Sequence, residues 1–190
     1  MKKNKKYWSQ AKKIIPGGNM FLSKRLNNDV INDWPIYFLK SKDCYVWDLY
    51  KKKYVDLGLM GVGTNVLGFN NYKINKSVIN AIKLGNMSSL NSLEELQLAK
   101  LMIKLHKWAD MAKFAKTGGE ANALAIRIAR AYTKTDKVAV CGYHGWYDWY
   151  LAANLKNKNS LKNHLSNNLK ISGVPKALKN TVFAFEYNNF

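Results

Sequence analysis

Thr117-Gly-Gly-Glu-Ala-Asn-Ala-Leu-Ala-Ile-Arg-Ile-Ala-Arg-Ala-Tyr132, a short polar turn, Lys137-Val-Ala-Val-Cys141, and then Gly142-Tyr-His-Gly-Trp-Tyr-Asp148 form the passage from which the fold is read. Ala121, Leu124, Ala125, Ile128, Ala131 and Tyr132 recur at i, i+3, i+4 and i+7, the period of a helix. Asn122, Arg127 and Arg130 lie off that line. Lys137–Cys141 reads as the following strand and the mixed run Ala112–Lys116 as the preceding one. Together they make a strand–helix–strand unit of about 30 residues. Thr117, Gly118 and Gly119 then stand where a strand ends and a helix begins.

That position has chemical meaning. A helix N-terminus leaves amide N–H groups unpaired and carries the positive end of the macrodipole, so it suits a phosphate. Gly118 and Gly119 allow the backbone to approach an anion closely, and the Thr117 hydroxyl can donate a further bond. The plainer reading makes Thr117 an N-cap and the glycines a tight turn. Tyr143 and His144 favour the phosphate, because they follow the next strand and emerge at the same carboxyl edge of a parallel sheet. An aromatic face there suits a flat ring.

Composition narrows the class. With 190 residues and 47% of them apolar, the chain can bury a core. The net charge of +19 raises nucleic-acid binding as an explanation. However, of 31 basic residues only Arg25, Arg127 and Arg130 are arginine, the residue that leads in reading bases and phosphates. The lysines are spread along the chain among many asparagines, and no nucleic-acid-binding motif appears. Cys44 and Cys141 are isolated, with no metal-ligand spacing among Cys and His, which fits a reducing cytoplasm. No run of about 18 apolar residues offers a membrane span.

Outward from the central passage, residues 1–15 read as a basic helix with Tyr7, Trp8, Ala11, Ile14 and Ile15 as its apolar stripe, stopped by Pro16-Gly-Gly18. Packing on the rest of the protein is the expectation for that stripe, against a membrane-surface role. Tyr37–Trp47 and Lys53–Leu57 are β-rich runs of a small antiparallel meander. The turn between them lacks the Asn-Gly or Asp-Gly pair such hairpins prefer. Ile74–Gly85 and Leu93–His106 are helices, the second with Ser92 and Glu95 spaced as a capping box. A short helix over Trp149–Leu155 precedes Lys156–Lys170, an Asn/Lys/Ser-rich surface loop, and Thr181–Phe185 is a further strand.

Thr117-Gly-Gly-Glu-Ala-Asn122 followed by Tyr143-His-Gly145 resembles the fold-type I, class III aminotransferases that use pyridoxal 5'-phosphate, particularly their glutamate-1-semialdehyde aminomutase-like branch. The likeness runs from Ile15-Pro-Gly-Gly18 through Tyr54-Val-Asp-Leu57 to Thr181-Val-Phe-Ala-Phe-Glu186. It implies that Thr117, Gly118 and Gly119 hold the cofactor phosphate and that Tyr143 stacks on the pyridine ring. His144 joins the same cofactor-binding set. It further implies that the glycine-rich Gly58–Gly68 stretch approaches the cofactor and a subunit interface. One departure stands out. Where the aminomutases follow Pro-Gly-Gly with a serine and an arginine that read the substrate carboxylate, an ungapped count puts Phe21 and Lys24 here. Lysine lacks the bidentate fork of arginine.

The expected fold is therefore α/β: a helix and β-meander over residues 1–57, then over residues 58–190 the first part of a cofactor-binding large domain, a mostly parallel sheet with flanking helices. The family's aspartate for the pyridine nitrogen and its cofactor-bonding lysine come after the last strand, so the chain reads as an N-terminal portion that is inactive alone. No catalytic or metal-binding residue is assigned within it. The complete protein is expected to move an amino group from a small-molecule donor to a carbonyl acceptor, as a cytoplasmic homodimer with no nucleic-acid or membrane partner. Intramolecular amino transfer is the alternative within the class. An inactive fragment and a basic nucleic-acid-binding protein are the alternatives outside it.

Overall fold

The computed structural model describes residues 2–21, 24, 34–58, 60–85, 87–164 and 170–189. These fall into two compact units, residues 1–91 and 92–190. The boundary read from the sequence, at 57/58, falls inside the first unit. A bridge pairs Asp43 with Phe69 across it, through mutual backbone bonds of 2.8 Å. Gly68 turns there at φ +89, where a Cβ would lie 3.2 Å from the Asp43 Cα.

In the first unit, α1 (Lys2–Ile14) buries one line of side chains, Asn4 and Trp8, with Ala11 and Ile15 half-buried. Ile14, expected in the stripe, is exposed. The Pro16–Gly18 turn folds back onto the helix. Gly18, at φ +80, lies so close to the Trp8 ring that a Cβ would stand 2.7 Å from its Cη2. The helix is held by the Trp8–glycine contact, the Lys3 amide bond to the Tyr50 hydroxyl and the Tyr7–Tyr37 ring contact, with Lys5, Lys6, Lys12 and Lys13 exposed.

The meander has three strands: β1 (Phe38–Lys42), β2 (Tyr45–Asp48) and β3 (Lys53–Val55), antiparallel in that order. The single long run expected before the turn is two strands, because Asp43 adopts φ 53 and reverses the chain between them. Asp48 does the work of the absent Asn-Gly pair. Its buried carboxylate accepts from the Tyr50 and Lys52 amides at 2.8 and 2.9 Å and from the Tyr54 hydroxyl at 3.1 Å. Burial pushes its pKa up, but these bonds and the Lys52 charge outweigh that and hold it below the usual carboxylate range. Helix α2 (Tyr72–Leu84) is capped by Asn71, which accepts from Lys73 and Ile74, and stops at Gly85 with φ 96.

The second unit opens with α3 (Leu93–Leu105). The expected Ser92/Glu95 box does not form. Ser92 accepts from the Glu94 amide and donates to the Glu94 carboxylate, which this bond holds below its ordinary pKa. Neither α2 nor α3 contains a buried residue, although Ile74, Val78, Ile79 and Ile82 form a stripe on the first, and Leu93, Leu101 and Leu105 are exposed on the second.

Ala112–Lys116 joins no ladder among the described residues, contrary to the strand expected there; Phe114 within it and Met111 beside it are exposed. Then come α4 (Gly118–Thr133) and β4 (Val138–Val140), which pairs in parallel with β5 (Val182–Ala184), Val138 opposite Val182. The short α5 (Asp148–Leu151) and a 3-10 turn over Ala152–Leu155 sit between them in sequence. Val140, Trp149, Tyr150, Leu151, Leu161, Val174 and Val182 form the core. Helix α4 meets it through Ala123 and Ile126, not through the periodic line read from the sequence, since Ile128 and Tyr132 are exposed. The helix is apolar on two sides, and the period alone does not say which one the sheet takes. Lys156–Lys170 is exposed over most of its described residues, as expected of a surface loop, but Leu161 anchors it. Leu161 is buried, and its amide donates to Asn154 Oδ1 at 2.9 Å. Residues 165–169 of that segment lie outside the described residues. Among those described, no helix is long and apolar enough to cross a membrane, and no cluster of His, Cys, Asp and Glu is arranged to hold a metal.

Candidate active site

The start of α4 is built by a reciprocal cap. The Thr117 hydroxyl accepts from the Glu120 amide at 3.2 Å, and the Glu120 carboxylate accepts from the Thr117 and Lys116 amides at 3.2 and 3.0 Å. The plainer sequence reading of Thr117 is thus correct, and it leaves the other intact. Gly118 and Gly119, the first residues of the helix, carry amides that helix geometry leaves unpaired. Among the described residues nothing accepts from them. The Thr117 hydroxyl, having accepted one bond, keeps its proton to donate. Two free amides and one hydroxyl proton make a donor set that fits a phosphate.

The two glycines differ in their surroundings. A Cβ on Gly118 would meet nothing within 4 Å, whereas one on Gly119 would lie 2.2 Å from Tyr147 Cε2 and 2.7 Å from Cδ2. Gly119 is small because a tyrosine ring covers it, a reason the sequence reading did not contain. Tyr147 stacks on Trp146, with ring centroids 5.6 Å apart. Beside it opens a groove of about 640 Å³ lined by Trp146, Tyr147, Trp149, Leu151, Lys170 and Leu178 among others. Thr117, Gly118 and Tyr143 do not line it, so Tyr147 alone is common to the groove and the helix start.

The loop after β4 comes to the same place. Gly145, at φ +99, would set a Cβ 3.6 Å from the Gly119 Cα. Tyr143 is two residues away, so its Cα lies within roughly 12 Å of Gly119 by chain reach. Asn122, on the first turns of α4, donates from Nδ2 to the His144 carbonyl at 3.3 Å. The His144 ring turns inward, its Nε2 2.9 Å from the Cys141 carbonyl, and is half-buried, while Tyr143 is 58% exposed. The structure therefore brings Thr117, Gly118, Gly119, Tyr143 and His144 to one end of β4. His144 is committed to the loop's own backbone and Tyr143 keeps a free face. Asn122, Tyr147 and Tyr150 are the neighbours that sequence reading missed. The signal was the aromatic run Trp146-Tyr-Asp-Trp-Tyr150.

The family model for class-III aminotransferases matches residues 27–189. The chain belongs to that family. Among relatives of this class-III chain, the 3-aminobutyryl-CoA aminotransferase of Cloacimonas acidaminovorans is 32% identical over 183 residues, covering 96% of this chain and 40% of that protein. The glutamate-1-semialdehyde 2,1-aminomutase of Wigglesworthia glossinidia brevipalpis is 33% identical over 187 residues, covering 97% and 42%. An omega-transaminase from Sphaerobacter thermophilus shares the fold with a TM-score of 0.79, at 22% identity over 98% of this chain and 42% of that one. The class-III chain thus spans about 40% of the length of the relatives it matches, and its sheet is part of the fold-type I architecture expected from the sequence.

Proposed function

We propose that this chain supplies the phosphate cradle and ring-stacking loop of a class-III aminotransferase that uses pyridoxal 5'-phosphate. One observation carries the reading. The unpaired Gly118 and Gly119 amides and the Thr117 hydroxyl stand at the helix end that the Tyr143–Gly145 loop approaches. Thr117, Gly118 and Gly119 would bind the phosphate through fixed N–H and O–H donors at a positive helix end, where an anion is favoured. Tyr143, with its free face, would orient the ring, and the half-buried His144 would hold the loop through the Cys141 carbonyl. When bound, the cofactor supplies an electron sink for carbon–nitrogen chemistry that no side chain provides.

The substrates would be a small-molecule amino donor and a carbonyl acceptor. Transfer between two molecules is favoured over the aminomutase's internal transfer by the Pro16–Gly18 neighbourhood. Lys24 holds its ammonium 5.4 Å from the centre of the Phe21 ring, where the aminomutase pattern has serine and arginine. The dimeric state is proposed on the exposed apolar stripes of α2 and α3, neither of which buries a residue within its own unit. A reducing cytoplasm suits the two free thiols, Cys44 and Cys141. Neither a nucleic-acid nor a membrane partner is proposed.

The relatives are more than twice as long, and the resemblance assigns the pyridine-nitrogen aspartate and cofactor-bonding lysine to positions after Val182–Ala184. The 190 residues alone are accordingly proposed to bind the cofactor without turning it over. Incubation with pyridoxal phosphate, an amino donor and a keto acid tests this. The expected result is retention of cofactor that Thr117→Ala weakens, with no amino transfer above the rate of free cofactor. Transfer abolished by substituting one lysine of this chain would refute the proposal.

A further inference from the structure

We propose that Tyr150 is a positioning residue that fixes the path of the Cys141–Gly145 loop and, through it, the setting of the Tyr143 ring. This rests on the reading of Tyr143 as the ring that meets the cofactor. Tyr150 is fully buried, on α5, and is one of two large side chains in that state among the described residues. Its hydroxyl donates to the Gly142 carbonyl at 2.9 Å. Its ring meets the rings of Tyr143 and His144 edge-on, at centroid distances of 6.2 and 5.8 Å and interplanar angles of 83° and 75°. One side chain thus touches three consecutive loop residues.

The loop needs such a support. Gly142 and Gly145 sit at φ +89 and +99, in the left-handed region that favours glycine, and no ladder bond spans the interval between them. Its shape is set by three side-chain bonds to its carbonyls: Tyr150 to Gly142, Asn122 to His144, and the His144 ring to Cys141. Two of the three come from outside the loop, from α5 and α4. Burial, and secondarily the neighbouring Tyr143, push the Tyr150 hydroxyl up to about 12, so it stays protonated and able to donate at any pH an enzyme meets. A phenylalanine would fill the same volume. The hydroxyl adds the bond to Gly142 and the approach of the His144 amide, both to the loop backbone.

The test uses the full-length protein with Tyr150→Phe, Tyr143→Ala, the double variant and Asn122→Ala, read by backbone amide exchange and by equilibrium dialysis of pyridoxal phosphate. Tyr150→Phe is expected to raise exchange at Gly142–Gly145 about fivefold, the equivalent of one net hydrogen bond, and to weaken cofactor binding by a similar factor. Exchange in α4 and β4 should not change. Asn122→Ala, which cuts a different tie to the same loop, should raise exchange at the same amides. In the Tyr143→Ala background, Tyr150→Phe should weaken binding no further, because its effect passes through that ring. Equal losses in both backgrounds would mean that Tyr150 serves the core alone, and unchanged loop exchange would likewise overturn the proposal. If loop exchange rises as expected but Tyr143→Ala leaves binding intact, the loop-shaping role stands and the cofactor reading of Tyr143 falls.

Discussion

Alanine at Gly119 and alanine at Gly118 should have opposite effects, although the residues are neighbours in one helical turn. On Gly119 the new Cβ would sit 2.2, 2.7 and 3.2 Å from Cε2, Cδ2 and Cζ of Tyr147. Ordinary carbon contacts begin near 3.5 Å, so the ring must move by more than an ångström. It cannot rotate away freely, because it is half-buried and stacked on Trp146. Overpacking of this kind costs about 1–3 kcal/mol, against at most about 1 kcal/mol gained from the better helix propensity of alanine. A net loss of about 1–2 kcal/mol is expected. On Gly118 the methyl meets open space, so only the propensity gain remains and stability should hold or rise by up to about 1 kcal/mol. Urea unfolding of both variants measures the difference, and Tyr147→Ala in the Gly119→Ala background should remove it. Equal stability of the two alanine variants would refute the claim that a tyrosine ring makes Gly119 necessary.

Asp48→Ala should destabilise the meander by about 2–3 kcal/mol, since two amides and a hydroxyl lose a charged acceptor; thermal melts check it. Because the folded Asp48 pKa lies below its ordinary value, its contribution is present above about pH 4 and is lost as the pH falls through the folded value. Asp48→Asn should flatten that acid limb. Tyr150 gives the opposite limb. Its pKa is raised from 10.0 to about 12, so the folded state binds more protons in between, and stability falls with rising pH by up to about 1.4 kcal/mol per pH unit. Tyr150→Phe should remove that component of the slope in alkaline melts. Thr117→Ala should cost about 1 kcal/mol through the lost cap, and Thr117→Ser should restore most of it; equal melts for all three would show that the cap in the structure carries no weight.

Where local chemistry decides the outcome, the sequence was readable. Pro16–Gly18 and Gly85 stop elements where their types predict, and the 3.6-residue period found α4 almost to its ends, whereas the Asn71 cap ahead of the expected helix start was not read. The choice of faces was not readable. Helix α4 has apolar residues on two sides, and the core took the side of Ala123 and Ile126, the less populated of the two. Ala112–Lys116 has the look of a strand, but a strand is defined by its partner, and no local pattern supplies one. The capping-box spacing picks Glu95, but Ser92 bonds Glu94 instead. At the site, the residues proposed to face the phosphate were legible as a motif. Their supports were not, because nothing in Trp146-Tyr-Asp-Trp-Tyr150 says which ring goes inside; Tyr150 is fully buried while Trp146 is 63% exposed.

The parallel pairing of β4 with β5 also sets a timetable. The strands of the meander are separated by tight turns and can zip together as they leave the ribosome. Val138 must wait for Val182, some 44 residues behind it. At about 5–20 residues per second, synthesis leaves β4 without its partner for roughly 2–9 s. During that interval Val138 and Val140 present an unpaired apolar strand to whatever is nearby. The same separation that carries Tyr150 under the loop makes this stretch a substrate for chaperones while it is being made.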